Sequence, residues 1–208
     1  METTFFSMVM KHFQYLITDY GFSVKKVEKS ERAPEIEGRI EFESSTTFVT
    51  VSGEQWGVDV CVGRVKDDKY YYFLDPRTIY EYVSLTEADK RLVCSLDPMD
   101  DRKARMIIHQ KRLLHNKKDS NSIVDNIESQ LVNYSKWLHQ YAEPFLRGDF
   151  SHWLEIYEFT INRQRAEHVR SGKEEFVRAI GRNKDERESI FQSSLDYLER
   201  LREEYGRE

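Results

Sequence analysis

The sequence predicts an α+β protein: an N-terminal helix on an antiparallel meander sheet of about four or five strands, followed by a helical C-terminal half. Three observations carry this reading. Apolar residues recur at spacings of three and four from Phe6 to Tyr20; from 22 to 74 the pattern changes to short runs bounded by turn residues; from about 85 onward helical spacing returns and stays. Strands joined by short turns pair antiparallel, because parallel neighbours need crossovers of roughly a dozen residues or more. The expected division is a helix-plus-sheet region at 1–84 and a helical region at 85–208 packed on it, the two forming either separate regions or one continuous domain.

The first helix carries Phe6, Val9, Met10, Phe13, Leu16, Ile17 and Tyr20 on one stripe, and Gly21 stands where a left-handed C-terminal cap is wanted. Strand candidates follow at 22–28, 38–43, 46–52, 56–63 and 70–74. In the second, Ile40 and Phe42 alternate with Arg39, Glu41 and Glu43, the mark of a half-buried strand. In the fourth, Val58, Val60 and Val62 face one way while Asp59 and Cys61 face the other. Lys66-Asp67-Asp68-Lys69 reads as a polar hairpin tip, and Asp75-Pro76 as the stop after the last strand. Tyr70, Tyr71, Tyr72 and Phe73 put rings on both faces of that strand. One face is core; the other is expected to be covered by the C-terminal helices rather than left as a contact surface.

In the helical half, Thr86 with Asp89 three residues on forms a capping box for a short helix to about 95. A second helix is expected over 100–117 and a long third over 121–147. The third keeps Ile123, Ile127, Leu131, Tyr134, Leu138, Tyr141 and Phe145 on one face, with Pro144 bending its last turn and Gly148 ending it. Ser151 starts another helix through Trp153, Leu154, Tyr157 and Ile161. A short piece around Phe176 and Ile180 follows, then a final helix with Ile190, Phe191, Leu195, Leu198, Leu201 and Tyr205.

Of the 208 residues, 39% are hydrophobic and 13% aromatic, which supplies an ordinary core and argues against wholesale disorder. Nine Gly and four Pro exclude a collagen-like or linker-like chain. No apolar run approaches the roughly 18–20 residues that span a bilayer. Residues 1–20 show neither the basic n-region nor the unbroken apolar h-region of a secretory signal, so a cytoplasmic location is expected. Cys61 and Cys94 agree with it, being too few for a disulfide framework and lacking the spacing of a zinc site.

Net charge is −5, split as −6 over residues 1–100 and +1 over 101–208, so bulk charge does not mark a nucleic-acid binder. The local exception is 102–118. There Arg102, Lys103, Arg105, Lys111, Arg112, Lys117 and Lys118 occur without an intervening acid, together with His109 and His115. Met106, Ile107, Gln110, Leu113 and Leu114 are expected along the other face of this helix. Such a helix can dock on an acidic protein surface or neutralise phosphates. A solvated helix face accounts for the same charges, and the interleaved aromatics of a base-binding surface are missing.

Asp149, His152, Glu155 and Glu158 recur every three residues. The drift of about 60° per step carries the last well round from the first, so the set reads as a helix cap and a solvated face rather than a metal site. Cys61 and Cys94 read as structural thiols. Asp67-Asp68-Lys69 shares an acid-x-Lys element with metal-dependent nucleases but occupies a hairpin tip, where charge is ordinary. No phosphate-cradling glycine loop or common hydrolase motif occurs. No catalytic residue, metal or cofactor is therefore expected.

The stretch Phe13-Gln14-Tyr15-Leu16-Ile17-Thr18-Asp19-Tyr20-Gly21-Phe22 resembles the F-x-x-L-x-x-x-Y-G-F start of small uncharacterised bacterial proteins, in which a helix ending in Tyr-Gly-Phe leads into a meander sheet. Leu146-Arg147-Gly148-Asp149-Phe150 is similar to their L-x-G-D-F helix junction. Some such proteins are thought to be immunity or defence-associated partners encoded beside toxins, so the resemblance implies a protein that acts through a protein partner; it supplies no catalytic residue. The expected function is a cytoplasmic, non-enzymatic protein-binding module that presents the basic helix, or the exposed sheet face, to a partner with an acidic surface. The alternative is nucleic-acid binding through 102–118. A third reading is a hydrolase or nuclease that brings together Asp59, Asp149 and His152.

Overall fold

The computed structural model describes residues 4–55, 57–113, 122–171, 192–193, 195–200 and 202–203. Its first helix, α1 (Phe5–Phe13), is opened by a capping box: the Ser7 N–H donates to the Thr4 hydroxyl and the Thr4 N–H donates to the Ser7 hydroxyl. Phe5, Met8, Val9 and Phe13 are buried, so the core stripe starts one residue earlier than the sequence pattern suggested. The helix then breaks at Gln14, and the short α2 (Tyr15–Thr18) brings Leu16 inward. A hydroxyl from elsewhere in the chain fixes this break, because Ser135 Oγ donates to the His12 carbonyl at 2.6 Å. Gly21, at φ +71°, supplies the left-handed residue expected there.

Five strands follow in meander order: β1 (Ser23–Lys29), β2 (Gly38–Glu43), β3 (Thr47–Glu54), β4 (Gly57–Lys66) and β5 (Lys69–Leu74), each antiparallel to the next. Ile40, Phe42, Val49, Val51, Val58, Val60 and Val62 form the buried face. Asp67 and Asp68 both have positive φ, 52° and 58°, as a two-residue hairpin turn demands when its twist must match that of its strands. Asp75-Pro76 does more than stop β5. Asp75 Oδ1 accepts the Arg77 N–H at 2.7 Å, and Pro76 fits the first helical position, so a helix absent from the sequence expectation, α3 (Pro76–Ser84), begins there.

Further on lie α4 (Glu87–Val93), with the Thr86–Asp89 capping box in place, a single 3-10 turn at Pro98–Asp100, and α5 (Asp101–Leu113). Then come α6 (Ile123–Tyr141), α7 (Glu143–Leu146) and α8 (Trp153–Ser171). The long helix expected over 121–147 is thus broken at Ala142, with Pro144 placed in the first turn of α7 and Gly148 following at φ +84°. The expected pieces around Phe176 and Ile180, and Ile190, Phe191, Leu201 and Tyr205 of the last helix, lie outside the described residues. Residues 195–200 are helical and bury Leu198.

The architecture is α+β, and its two compact units do not follow chain order. One comprises residues 1–83 with 115–150; the other comprises 84–114 with 151–208. In the first, α6 packs on α1 and β4, burying Ile127, Leu131, Tyr134, Trp137 and Leu138. In the second, α4, α5 and α8 pack on one another. No described helix is long and apolar enough to cross a membrane.

Candidate functional site

The basic helix forms as α5, with Asp101 in its first turn, where a carboxylate suits the helix dipole, and Arg105 paired to it at 2.7 Å. Its buried side differs from the expected one. Ala104 is fully buried, Ile107 and Ile108 are half-buried, and Met106 and Gln110 face solvent. The reason is close packing: the small Ala104 side chain lets α5 approach its neighbours α4 and α8, and the longer Met106 is turned outward.

The exposed side therefore carries Arg102, Lys103, Met106, His109 and Gln110, with Met99 in the preceding 3-10 turn. Met99 is 82% exposed and Met106 52%. Residues three and four apart share a helix face, so Arg102, Lys103 and Met106 form one surface, extended by Gln110. Arg102 and Lys103 have no ion-pair partner among the described residues, whereas Arg105 is held by Asp101. Lys111 and Arg112 lie in the last turn of α5. Lys117, Lys118 and His115 lie outside the described residues.

The outward face of the sheet is a second surface. Phe48 lies beneath Tyr70 and Phe73, at centroid distances of 4.6 and 5.1 Å. Its ring also covers Gly63, where a Cβ would come within 2.6 Å of it. A register shift between β4 and β5 allows Tyr70 and Phe73, three apart, to share this face. Among the described residues the expected cover is incomplete, because Phe73 is 59% exposed. The neighbouring charges are paired on the same face: Arg39 with Glu41 and Lys25 with Glu43, both at 3.0 Å. Tyr70 donates to Glu43 at 2.6 Å; that bond holds Glu43 below its ordinary value and pushes Tyr70 up to about 12.

The remaining candidates show ordinary chemistry. Burial pushes the Cys61 thiol up to about 11 and raises that of Cys94, the opposite of what a nucleophilic thiolate needs. His152 pairs with Glu155 at 3.4 Å, and Glu158 pairs with Arg202. Asp59 and Asp149 belong to the sheet-containing unit and His152 to the other. Among the described residues, no group of three or more His, Cys, Asp or Glu is placed to hold a metal ion.

Sequence reasoning missed the exposed Met99 and the outward turn of Met106. A count of which α5 positions can accept a close helix contact, with Ala104 as the small residue, was the available signal. It also passed over Arg163 and Arg170, whose spacing of seven on α8 puts them on one face. No family model, curated protein or solved structure matches the chain.

Proposed function

We propose that the protein is a binding module that presents the outward face of α5 to an acidic surface of another protein. The observation that carries this reading is the exposure of Met99 and Met106 beside Arg102 and Lys103. Cations steer an acidic partner into register, and flexible thioethers then give apolar contact that adapts to the opposing surface. A phosphate backbone would use the same cations but would gain little from the methionines, and α5 has no Phe, Tyr or Trp to offer bases a stacking platform. The resemblance to immunity-type proteins agrees with a mode of action by occupation of a partner, which requires complementarity and no bond-making.

The test compares the tagged full chain, cross-linked and purified from its own cells, with two variants: Arg102→Glu/Lys103→Glu and Met99→Ser/Met106→Ser. Both pairs are exposed, and circular dichroism checks that the fold is kept. A stoichiometric acidic protein, resistant to nuclease and reduced about tenfold in both variants, is the expected result; tenfold corresponds to about 1.4 kcal/mol. Nucleic acid as the companion, or a protein companion that both variants retain, overturns the reading.

A further inference from the structure

The methionines of the chain differ sharply in access. Met99 is 82% exposed and Met106 52%, whereas Met8 of α1 is 2% exposed and Met10, on the same helix, is half-buried. A thioether reacts with peroxide in its neutral form, so access sets which sulfur is oxidised first. The two cysteines compete poorly for the same oxidant. Only the thiolate is a strong nucleophile, and burial raises the thiols of both Cys61 and Cys94.

The position of Met106 gives its oxidation a structural consequence. A helical side chain leans toward the N-terminus, over the residues three and four before it, and for Met106 these are Lys103 and Arg102. Both are exposed, and both side chains only donate hydrogen bonds. A thioether is a weak acceptor and leaves them to solvent or to an acidic surface. A sulfoxide oxygen is a polar acceptor, and a bond to it from either cation is charge-assisted. Met99, in the turn before α5, borders the same surface.

We infer that Met99 and Met106 are sites of reversible oxidation by peroxides, and that the sulfoxide formed at Met106 is held by Arg102 or Lys103. In the forward step the sulfur lone pair attacks one peroxide oxygen; an S–O bond forms as the O–O bond breaks. The departing hydroxide takes the proton left on the new S–O group, so one water is released and sulfur gives up two electrons. The return step consumes two thiols, through a methionine sulfoxide reductase, and yields the thioether, one disulfide and one water. Oxidation thus replaces adaptable apolar contacts with polar ones and occupies the cations, and the face releases an acidic partner. That last consequence rests on the protein-binding reading; the modification itself does not.

The experiment treats the full chain with rising doses of hydrogen peroxide and maps sulfoxide by peptide mass spectrometry. The arginine Nε–H and lysine Nζ resonances are followed in the parent and in Met106→Leu, whose exposed position keeps the fold. Met99 and Met106 should oxidise about tenfold faster than Met8, with Met10 between. An Arg102 or Lys103 resonance should move on oxidation of the parent, return on treatment with the reductases and thiol, and stay in place in Met106→Leu. Oxidation of Met8 as fast as either exposed methionine, or unmoved Arg102 and Lys103 resonances in the oxidised parent, overturns the inference. The oxidised chain then replaces the parent in the capture from native cells, where loss of the acidic companion is expected and equal capture overturns the release. Absence of any companion on the unoxidised chain overturns the protein-binding reading alone, because the mass map and the resonances decide the modification without it.

Discussion

Arg170 shows how one side chain can determine a unit's stability. Its Nη1 donates to the Leu92 and Val93 carbonyls at the end of α4 and to the Ser95 carbonyl just past it, and its Nε lies opposite Asp101. Replacing it with methionine keeps the volume but takes that donor from the Val93 and Ser95 carbonyls and removes one of the two cations facing Asp101. Removing one partner of a buried charged network costs about 3–5 kcal/mol. Arg170→Met should therefore lower the unfolding free energy by about 3 kcal/mol, measured by denaturant titration with Trp153 as the probe. Arg147 is the useful contrast: its guanidinium lies 5.2 Å over the Tyr20 ring in an exposed position, where such a contact contributes roughly 0.5–1 kcal/mol. A loss in Arg170→Met no larger than in Arg147→Ala would show that the carbonyl contacts are solvated in the native state.

At the scale of elements, the outward face of the sheet couples β2 to β5 through the Tyr70–Glu43 hydrogen bond, which spans the buried Phe48 of β3. The two pKa displacements act at opposite ends of the pH scale. Tyr70 holds its proton more tightly when folded; its contribution is complete below the ordinary value of 10.0 and is lost as pH rises through about 12. Glu43 is lowered when folded; its contribution is present above the ordinary value of 4.5 and is lost as pH falls below it. Tyr70→Phe should remove one late-ionising tyrosine from the absorbance titration and flatten the pH dependence of the unfolding midpoint at both ends. An unaltered titration above pH 11 would falsify this coupling. The strands themselves were legible because alternation of residues such as Ile40 and Phe42 with Arg39 and Glu41 has only one extended reading. The helix α3 was not, because Asp-Pro serves equally as a strand terminator and a helix start. The buried side of α5 was misread because Met106 counts as apolar in a periodicity, while the contact in fact selects the small Ala104. The break at Gln14 was hidden for a similar reason: the apolar spacing runs on through it, and the group that caps it, Ser135, is distant in sequence.

At the scale of the whole molecule, periodicity reveals that a helix exists but not which surface it covers. The sequence change near residue 84 marks one boundary between the units, yet the chain returns at 115 to complete the sheet-containing unit. That return supplies α6, whose Gln130 accepts the Val58 N–H at 2.9 Å, and α7, whose Phe145 carbonyl accepts the Thr47 hydroxyl at 2.8 Å. A fragment ending at 84 retains every strand but loses the five buried α6 side chains Ile127, Leu131, Tyr134, Trp137 and Leu138. At about 2 kcal/mol for each buried apolar side chain, the loss is on the order of 10 kcal/mol. That matches the roughly 5–15 kcal/mol total stability of a typical domain, so the strands alone cannot hold their buried face out of water. Residues 1–84 should accordingly be unfolded or aggregated by circular dichroism and sedimentation. Residues 1–150 should show strand signal and a cooperative unfolding transition, although they lack α8. Cooperative unfolding of 1–84 alone would mean that α1 suffices to cover the sheet, and that α6 adds length to the core without being required for it.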